Sequence, residues 1–548
     1  MAGVDQVWAS TAVEFCLRHG IDHFFLAPGS RCTPLTLAVA RESGAHVIQH
    51  FDERGLAFAA LGYGRATGRP GVFICTSGTA VANAFPAVIE AAAESVPMLL
   101  FTADRPTELR GTGANQTIDQ RNIFGSYPKM FLNLPVPDES FALDESLEQG
   151  FAATKNGPVH FNWMFREPFT ISDEPASTEY KPEAQASESA TVRQNQRRDD
   201  FKVEVQGNVL IALGGCKPFE AQQAWELSQY LNCPILSDVT SGMRTGSLEL
   251  PSEFELPQPD TILHLGGRMV SKAWHQWTAT LSDEVDFLHI TPTGQVINPN
   301  RLSVTQHRTD LIQLPTIVSG PKTSDSFLKA WNDAGAQRSS IIDRQLSAPK
   351  KLSEPAVAFH VSKNCPTSHG LFIGNSTPIR DMDWYGNGLS DKVRNVAANR
   401  GASGIDGLLA TATGYATGLQ KQTTVLIGDL SALHDLNSLA LIAQSRIPLI
   451  VVVINNQGGH IFDMLPIRES NHFEQFFATP HEYQFEDAAK MFGIVYHRIT
   501  EMDDFVTRYR NACSQNQTMI LELMTDRQYN TEVRTQIREE IQKCSSQS

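Results

Sequence analysis

The chain has 548 residues, of which 41% are hydrophobic and 19% are charged, so it is long enough to form about three or four domains with large apolar cores. Its formal net charge of −15 disfavours nucleic acid as a general partner, and any anionic ligand requires a local cluster of Arg and Lys. The apolar runs last about seven residues, far below the ~20 that span a bilayer, and no basic segment precedes an apolar one near the N-terminus. We therefore expect a cytoplasmic protein with no membrane partner and no signal peptide.

Helical and strand-like patterns alternate over the first hundred residues. Helical periodicity is found in VDQVWASTAVEFCLRHG, TPLTLAVARES, ERGLAFAALGYGRATG and TAVANAFPAVIEAAAES, and short apolar runs in DHFFL, HVIQHF, GVFICTS and PMLLFTAD predict strands. Strands separated by helices indicate a parallel sheet covered on both faces, with ligands at the carboxyl ends of its strands. Polar residues follow these ends, among them Ser30 with Arg31, Asp52 with Glu53, and Arg105.

Two polar stretches divide the rest of the chain. The segments at 171–200 and 347–355 are rich in Ser, Glu, Pro and Lys or Arg, which is typical of linkers. Between them, EVQGNVLIALGG and DTILHLGGRMVSKAWHQW each predict a strand that ends in a Gly-Gly turn. We therefore predict an α/β protein of three domains, each a parallel sheet flanked by helices, over residues 1–180, 195–345 and 356–548.

The C-terminal part repeats the pattern of the first. Predicted strands end at Ser376, near Arg400, at Asp429 and at Asn456, and helices are predicted over GIDGLLATATGYATG and SALHDLNSLALIAQS. A faint internal echo, LGYGRATG at 61–68 and TGYATG at 413–418, closes a predicted helix in each half. The two outer domains are therefore predicted to fold similarly.

Asp429 and Asn456 end two predicted strands that one crossover helix joins, which is the arrangement of adjacent parallel strands. Both offer hard oxygen atoms, and the glycines of NNQGG allow a backbone carbonyl, that of Gly458, to approach closely. Mg²⁺ prefers such ligands together with phosphate and water, and a helix that opens at Leu430 and Ser431 would favour phosphate. The alternative is that Asp429 is only a helix cap and Asn456 only a turn residue.

The segment GDLSALHDLNSL…INNQGG resembles the thiamine diphosphate motif, usually GDG followed by about 26 residues and NN. Further motifs, APGSRCTPLTLA, DERGLAFAALGYGRATGRP, CTSGTAVANAFPAVIEA, TADRP, GANQTIDQ, ANRGASGIDG and NNQGGHIFDMLP, resemble the 2-succinyl-5-enolpyruvyl-6-hydroxy-3-cyclohexene-1-carboxylate synthases (MenD type) of menaquinone biosynthesis. The match covers both outer domains and, more loosely, the middle one. The resemblance implies decarboxylation of 2-oxoglutarate and 1,4-addition of the succinyl-semialdehyde carbanion to isochorismate, which gives the named product and CO₂.

The resemblance also implies roles for individual residues. Glu53 would hydrogen-bond the aminopyrimidine of thiamine diphosphate and act in its activation, whereas the alternative role, stabilising a helix start, can be met by Asp52. Mg²⁺ (or Mn²⁺) would be held by Asp429, Asn456 and Gly458, and the enzyme would be a homodimer or a dimer of dimers because related enzymes bind the cofactor between subunits. The implied cofactor residues are Glu53, Ile405, Gly428, Asp429, Leu430, Ser431, Asn456 and Gly458.

Both implied substrates are dicarboxylates, so several cations are needed, and the planar fork of Arg suits bidentate pairing with carboxylates. An ordinary exposed Arg is the alternative for each single arginine. The substrate residues implied by the resemblance are Ser30, Arg31, Arg105, Asn115, Gln116, Lys272, Ser376, Arg380 and Arg400, with Ile461, Phe462 and Leu465 as the apolar wall.

Three positions depart from the family pattern. Leu430 stands where many relatives have Gly, and Lys272-Ala273 stands where some relatives have Lys-Arg, so one substrate cation is missing or supplied elsewhere. Cys32 stands where Ser is frequent; a neighbouring Arg31 could make it reactive, but an inert, small side chain is the expected role. The eight cysteines show no zinc-binding or CxxC spacing, which indicates free thiols.

Three other functions compete with this one. Another thiamine diphosphate decarboxylase or carboligase would share Glu53 and the metal motif, and some of these bind FAD. A nicotinamide dehydrogenase is disfavoured because its only candidate fingerprint, GYGRATG, has the wrong spacing and ends a helix. A non-catalytic relative would be expected to have lost Glu53 or Asp429, and both are present.

Overall fold

The computed structural model describes residues 3–138, 140–169, 202–243, 246–293, 297, 303–349, 351–386 and 393–546. Parallel sheets flanked by helices make up the chain, which confirms the predicted α/β class. Contacts divide it into two compact units, Met1–Phe201 with Thr413–Leu419 and Lys202–Ala412 with Gln420–Ser548, which we describe separately. The predicted linker at 171–200 lies outside the described residues. No described helix is both long and apolar enough to cross a membrane.

The first unit is built on a six-stranded parallel sheet with the strand order β2-β1-β3-β4-β6-β5. Strands β3, β4 and β6 are buried along their whole length because helices cover both faces, whereas the edge strand β2 is largely exposed. The strands are β1 (His23–Leu26), β2 (His46–Gln49), β3 (Gly71–Cys75), β4 (Met98–Asp104), β5 (Met130–Leu134) and β6 (Pro158–Met164). The helices are α1 (Val4–Arg18), α2 (Thr33–Arg41), α3 (Glu53–Thr67), α4 (Thr79–Asn83), α5 (Phe85–Ala93) and α6 (Leu143–Thr154).

Two features of this unit differ from the prediction. The single helix predicted over 79–95 is divided at Ala84, because Pro86 lacks an N–H and fits only the first turn of a new helix. Strands β5 and β6 and helix α6 were not predicted. Strand β6 mixes aromatic residues with buried His160 and Asn162, so it lacks the uniform apolar run that marked its neighbours.

The middle part of the second unit has a five-stranded parallel sheet, β12-β11-β10-β8-β9, and a two-stranded one, β13-β7. Both predicted Gly-Gly turns are present: a Cβ on Gly214 would lie 2.1 Å from the carbonyl oxygen of Gly267, so the two turns can pack only as glycines. The strands are β7 (Val203–Glu204), β8 (Val209–Leu213), β9 (Ile235–Ser237), β10 (Thr261–Leu265), β11 (Asp286–Thr291), β12 (Thr305–Arg308) and β13 (Val318–Ser319). The helices are α7 (Pro218–Leu231), α8 (Leu250–Glu253), α9 (Lys272–Thr278), α10 (Leu314–Ile317) and α11 (Asp325–Leu346).

The C-terminal part has a second six-stranded parallel sheet, with the order β15-β14-β16-β17-β19-β18. Counted from its own first strand, this is the strand order of the N-terminal sheet, as the internal echo predicted. The strands are β14 (Gly370–Ile373), β15 (Asn395–Ala397), β16 (Thr423–Gly428), β17 (Leu449–Asn455), β18 (Val495–Ile499) and β19 (Met519–Met524). The helices are α12 (Glu354–Asn364), α13 (Thr377–Tyr385), α14 (Leu408–Leu419), α15 (Asp429–His434), α16 (Leu439–Gln444), α17 (Glu486–Phe492), α18 (Met502–Ser514) and α19 (Arg527–Ser545).

Helix bounds in this part differ from the prediction in three places. The helix predicted after Asp429 is interrupted by a 3₁₀ turn at Leu436–Ser438, so α15 has only six residues. Helix α14 begins at Leu408, which leaves Ile405 in the preceding loop. Residues 537–545, whose pattern indicates only a frayed helix end, belong to α19, a helix of 19 residues. One apolar core joins the middle and C-terminal sheets within this unit.

Candidate active site

Asp52 and Glu53 divide two tasks at the start of α3. Asp52 is the N-cap, and its side chain accepts hydrogen bonds from the backbone N–H groups of Arg54 (3.0 Å) and Gly55 (3.4 Å). Glu53 is the first helical residue, and its carboxylate accepts a long hydrogen bond of 3.3 Å from Asn83 Nδ2. The helix start is therefore stabilised without Glu53, whose carboxylate is available to a ligand.

Arg31 and Arg105 lie at the carboxyl edge of the N-terminal sheet and are both buried. Arg31 donates to the carbonyl oxygen of Phe165 (3.0 Å) and to Glu167 (2.6 Å), whose side chain is 59% exposed. Burial, and then the nearby Arg105, lower the pKa of Arg31. Two cations close together in a protein of negative charge are arranged to bind an anion, and the exposed Glu167 is a partner that a substrate carboxylate could replace.

Ser77 lies two residues after the end of β3 and forms hydrogen bonds with two of the predicted substrate residues, Arg105 and Gln116. It accepts a hydrogen bond from Arg105 and donates one to the carbonyl oxygen of Gln116 (3.2 Å), while Gln116 Nε2 donates to the Ser77 carbonyl (2.9 Å). Gln116 adopts a left-handed backbone (φ +54°). Ser30 and Asn115 are on loops of the same unit, with no side-chain contact that groups them with Arg105 in the described residues. Ser77 was not predicted, although the CTSG motif contains it.

Cys32 is packed and unreactive. Its side chain is fully buried, it donates to the carbonyl oxygen of Gly29 (Sγ to O, 3.1 Å), and burial raises the pKa of its thiol. The adjacent Arg31 points its guanidinium to Phe165 and Glu167 instead. The structure therefore favours the inert role over the reactive one.

In the second unit, the oxygen atoms of Asp429 and Asn456 converge. Strands β16 and β17 are adjacent and parallel, as predicted, and the backbone N–H of Gly458 donates to both Asp429 Oδ2 (3.1 Å) and Asn456 Oδ1 (3.2 Å). Gly458 has φ +154°, and a Cβ there would lie 2.4 Å from the carbonyl oxygen of Ala478. Two hard oxygen atoms thus lie close together, beside a turn in which Gly458 has no side chain.

Asp429 is a buried carboxyl group whose ionised form is disfavoured. Burial raises its pKa to about 6, although backbone N–H groups, chiefly that of Leu430 at 2.6 Å, counteract the rise. His481 Nε2 lies 3.3 Å from Asp429 Oδ2, but the two are not aligned for a hydrogen bond. Among the described residues, no group of three or more His, Cys, Asp and Glu side chains could hold a metal, so a site here would use amide and carbonyl oxygens, which suit Mg²⁺ or Mn²⁺.

Buried Glu354, the first residue of α12, fixes the orientation of Asn456. Its Oε1 accepts from Asn456 Nδ2 (2.7 Å) and Asn530 Nδ2 (2.9 Å), and its Oε2 accepts from Arg534 (2.7 Å). Because the amide nitrogen of Asn456 is held by Glu354, its oxygen is directed to the Asp429 side. No local pattern could have predicted this role, since Glu354 lies 102 residues from Asn456 in the chain.

Ser376, Arg380 and Arg400 lie together at the other strand ends of the C-terminal sheet. Ser376 has φ +73° and precedes α13, and Arg380 donates to its carbonyl oxygen (2.6 Å). Burial, and then the charge of Arg400, lower the pKa of Arg380. Arg400 donates to Asn375 Oδ1 (2.7 Å), so two predicted substrate cations share one small region.

A cavity of about 240 Å³ lies beside Arg400 and is lined by residues of the middle domain. Arg268 lines it and donates to the carbonyl oxygen of Gly401 (3.1 Å), and His275 lines it as well. Lys272 is exposed at the start of α9 and does not line this cavity. Arg268 therefore supplies a cation in the region where Ala273 departs from the family pattern.

The remaining predicted residues are placed as follows. Ile405 is 40% exposed in its loop, so it is not an ordinary core residue. Ser431 is buried in α15, which at six residues is shorter than the helix expected to favour phosphate, and Leu430 lies beside Gly459. Ile461, Phe462 and Leu465 lie in or next to the 3₁₀ turn His460–Met464, which directly follows Gly458 and Gly459. Gly428, the last residue of β16, is the N-cap of α15.

Family comparisons cover almost the whole chain. Residues 8–123 match the thiamine pyrophosphate enzyme N-terminal TPP binding domain, residues 178–373 match the middle domain of thiamine pyrophosphate enzymes, and residues 390–523 match the C-terminal TPP binding domain. These matches agree with the three main sheets. Thiamine diphosphate is therefore the cofactor of this enzyme, as predicted.

Individual relatives show which family of thiamine diphosphate enzymes the chain resembles. The chain is 37% identical to the 2-succinyl-5-enolpyruvyl-6-hydroxy-3-cyclohexene-1-carboxylate synthase of Rubrobacter xylanophilus, and the match covers 96% of each chain. It is 36% identical to the synthase of Salinibacter ruber, over 98% of this chain and 97% of the relative, and 38% identical to that of Chlorobaculum tepidum, over 96% and 95%. The chain therefore belongs to the 2-succinyl-5-enolpyruvyl-6-hydroxy-3-cyclohexene-1-carboxylate synthase family of thiamine diphosphate enzymes.

Proposed function

We propose that this enzyme decarboxylates 2-oxoglutarate and joins the remaining four-carbon unit to isochorismate, giving 2-succinyl-5-enolpyruvyl-6-hydroxy-3-cyclohexene-1-carboxylate and CO₂ in menaquinone biosynthesis. The observation that carries the proposal is the convergence of Asp429 Oδ2 and Asn456 Oδ1 on the N–H of Gly458, at the end of two adjacent strands. When bound, thiamine diphosphate supplies the nucleophilic carbon for both bond changes. The protein residues bind, orient and exchange protons around it.

A metal ion, Mg²⁺ or Mn²⁺, would be held by Asp429, the side-chain oxygen of Asn456 and the carbonyl of Gly458, and it would offset the charge of the diphosphate. The donor set fits such an ion because it offers hard oxygens and a buried carboxylate, whose charged form a cation would stabilise. Gly428, Leu430 and Ser431 would lie against the diphosphate. Ile405, exposed in its loop, would contact the thiazolium side of the cofactor.

Glu53 would hydrogen-bond the aminopyrimidine and exchange a proton with it. The support for this role is that Asp52 caps α3 and leaves the Glu53 carboxylate with one long hydrogen bond. A carboxyl positioned in this way can act as a general acid and base.

The substrate carboxylates would bind to the arginines of both units. In the first unit, Arg31 and Arg105 would act with Gln116, and Ser30 and Asn115 would contribute from their loops. In the second unit, Arg380 and Arg400 would act with Ser376, and Arg268 would add the cation that Ala273 does not supply. Lys272, exposed at the start of α9, would contribute a further cation, and Ile461, Phe462 and Leu465 would exclude water.

Turnover tests this proposal directly. The purified protein, supplied with thiamine diphosphate and Mg²⁺, should consume 2-oxoglutarate and isochorismate together and release CO₂. Loss of 2-oxoglutarate that does not depend on isochorismate, or a flavin spectrum, would indicate another thiamine diphosphate decarboxylase or carboligase. Absence of turnover with both substrates would contradict the proposal.

We also propose that the enzyme is a homodimer or a dimer of dimers in which Glu53 and Asp429 of one site come from different subunits. Phe51, two residues before Glu53, is 60% exposed, and Tyr483, which stacks on the His481 beside Asp429, is 66% exposed; a second subunit would cover both. The three domains would span 1–180, 195–345 and 356–548. The cytoplasmic location stays a prediction.

Subunit mixing distinguishes this arrangement from one in which each chain has a complete site. Glu53→Gln and Asp429→Ala homodimers are each expected to be inactive. If sites are shared, a mixed dimer contains one site with both substitutions and one site with neither, so unfolding and refolding the two variants together should restore activity. Mixtures that form mixed dimers, seen by native mass spectrometry, yet stay inactive would contradict the shared site.

A further inference from the structure

A second cavity, of about 250 Å³, lies in the same unit beside the 3₁₀ turn His460–Met464, which follows the proposed metal ligand Gly458. Helix α19 contributes one face to it, at positions 527, 530, 531, 534, 535 and 538, a spacing of three and four residues. The 3₁₀ turn contributes His460, Asp463 and Met464. Its other residues, Ile461 and Phe462, are the ones that the proposed function places at the substrates.

The cavity carries an excess of positive charge in an acidic protein. Its two acidic lining residues are already engaged: Asp463 forms a bidentate ion pair with Arg527 (2.7 and 2.5 Å), and Glu354 binds Arg534 (2.7 Å). Arg468 and Arg538 also line the cavity, are exposed, and form no ion pair with an acidic side chain among the described residues. Two guanidinium groups thus remain available to a ligand.

The size and chemistry of the cavity define the ligand class. Its volume is below that of pockets for drug-sized ligands, ~300–1,000 Å³, so the ligand is small. Two guanidinium forks from different elements line the cavity, Arg468 from the 3₁₀ turn Pro466–Glu469 and Arg538 from α19, and they favour a molecule with more than one carboxylate, each paired with one fork.

Glu354 connects this cavity to the proposed metal site. Arg534 and Asn530, which line the cavity, and Asn456, which is a proposed metal ligand, all donate hydrogen bonds to the Glu354 carboxylate. A carboxylate bound in the cavity would compete with Glu354 for Arg534 and so loosen the hold on the Asn456 amide.

We propose that this cavity is an effector site for a small polycarboxylate, and that its occupation weakens binding of the metal and diphosphate through Glu354. The coupling rests on the proposed role of Asn456, whereas binding of the anion does not. The coupling would be reciprocal, so the cofactor would weaken anion binding by the same factor.

Calorimetry on the full-length protein tests both parts, with tricarballylate as the probe. We expect saturable binding to the cofactor-free protein, and cofactor affinity at least about fivefold weaker in its presence, near the lower end of measured allosteric couplings. Arg468→Gln with Arg538→Gln should abolish probe binding and leave cofactor affinity unchanged. The matched control, Arg446→Gln with Arg498→Gln, removes two exposed charges elsewhere in the unit and should bind the probe normally.

Several results would overturn the proposal. Absence of saturable binding, or normal binding by the Arg468/Arg538 variant, would exclude the site, and loss of binding in Arg400→Gln would place the probe in the substrate region. Binding of inorganic phosphate but not tricarballylate would exclude the polycarboxylate class. Probe binding without any change in cofactor affinity would exclude the effector role, and it would do so independently of whether Asp429→Ala confirms the metal site. Thr535→Trp, which fills the cavity from the exposed face of α19, should block the probe without removing charge.

Discussion

The N-terminal and C-terminal sheets share one strand order but carry different chemistry at their strand ends. Both sets of ends carry two arginines, Arg31 with Arg105 in the first sheet and Arg380 with Arg400 in the second. The first sheet adds Glu53, whereas the second adds Asp429 and Asn456. The acid of the first sheet follows the edge strand β2, whereas the acid of the second follows the central strand β16. Equivalent topology therefore determines where side chains can gather, and the residues at the ends determine what each sheet binds.

The two acids also differ in what holds them. Glu53 is relieved of helix capping by its neighbour Asp52, while Asp429 itself begins α15 and is bonded by the N–H groups of Leu430 and Gly458. The Glu53 carboxyl, which does not cap the helix, suits proton exchange. The Asp429 carboxylate, which is buried and held by backbone N–H groups, suits a metal ion. Substitutions at the two acids should therefore change different quantities, the rate in one case and cofactor affinity in the other.

The largest effect is expected for Glu53→Gln. Removing the ionisable carboxyl should lower kcat by about 10²–10⁴, the usual contribution of a positioned acid or base, with the fold and cofactor affinity retained. Steady-state kinetics and calorimetry measure the two quantities. Asp52→Asn, the same chemical change one residue away, keeps a good helix cap and should show a rate close to wild type. A near-normal rate in Glu53→Gln would assign activation to another residue.

Asp429→Ala is expected to act on affinity. Loss of a hard ligand should weaken metal-dependent binding of thiamine diphosphate by about 100-fold, at the upper end of the effects known for residues that support metal sites. Calorimetry with and without Mg²⁺ measures it, and exposed Asp487→Ala is the control. Unchanged cofactor affinity in Asp429→Ala would contradict the metal assignment.

The arginines of the two sheets should separate the two substrates. We expect Arg400→Gln and Arg105→Gln each to raise the Michaelis constant for one substrate about tenfold or more, the cost of losing one charge-assisted hydrogen bond in a buried site. If each sheet binds its own substrate, one variant should affect only isochorismate and the other only the oxoacid, as steady-state kinetics with each substrate varied in turn would show. Equal changes for both substrates would indicate a shared anion region.

The smallest expected effect is a change in the free energy of unfolding with pH, and it arises from a residue of the first unit. Burial lowers the pKa of His160 on β6 to about 3, and its Nε2 is 2.7 Å from Thr102 Oγ1. Because the unfolded chain takes up a proton near pH 6.5 and the folded one does not, the free energy of unfolding should fall as pH drops below that value. Between about pH 7.5 and pH 5.5 the loss should be about 1.4 kcal/mol for this residue. Urea unfolding of His160→Gln should show a shallower decline; an identical decline would exclude His160 as its source.

Sequence patterns predicted the strands whose apolar runs are continuous, and they located Asp429 and Asn456 on adjacent strands. They did not find β6, because His160 and Asn162 break its apolar run, nor the break in the helix after Asp429, which a 3₁₀ turn produces. The resemblance to a known family indicated which residues are expected to bind the substrates. The periodicity and spacing of the residues could not do so. Ser77 and Glu354 were missed because each acts through contacts with residues distant in the chain, Gln116 and Asn456.

The hydrogen bonds of Glu354 have a consequence for folding during synthesis. Two of its three partners, Asn530 and Arg534, belong to α19, which is synthesised after all the strands of the C-terminal sheet. Until that helix docks, nothing from it neutralises the buried carboxylate that holds Asn456. Shortened chains that lack α19 should therefore accumulate as unfinished proteins, even though every strand has already been synthesised.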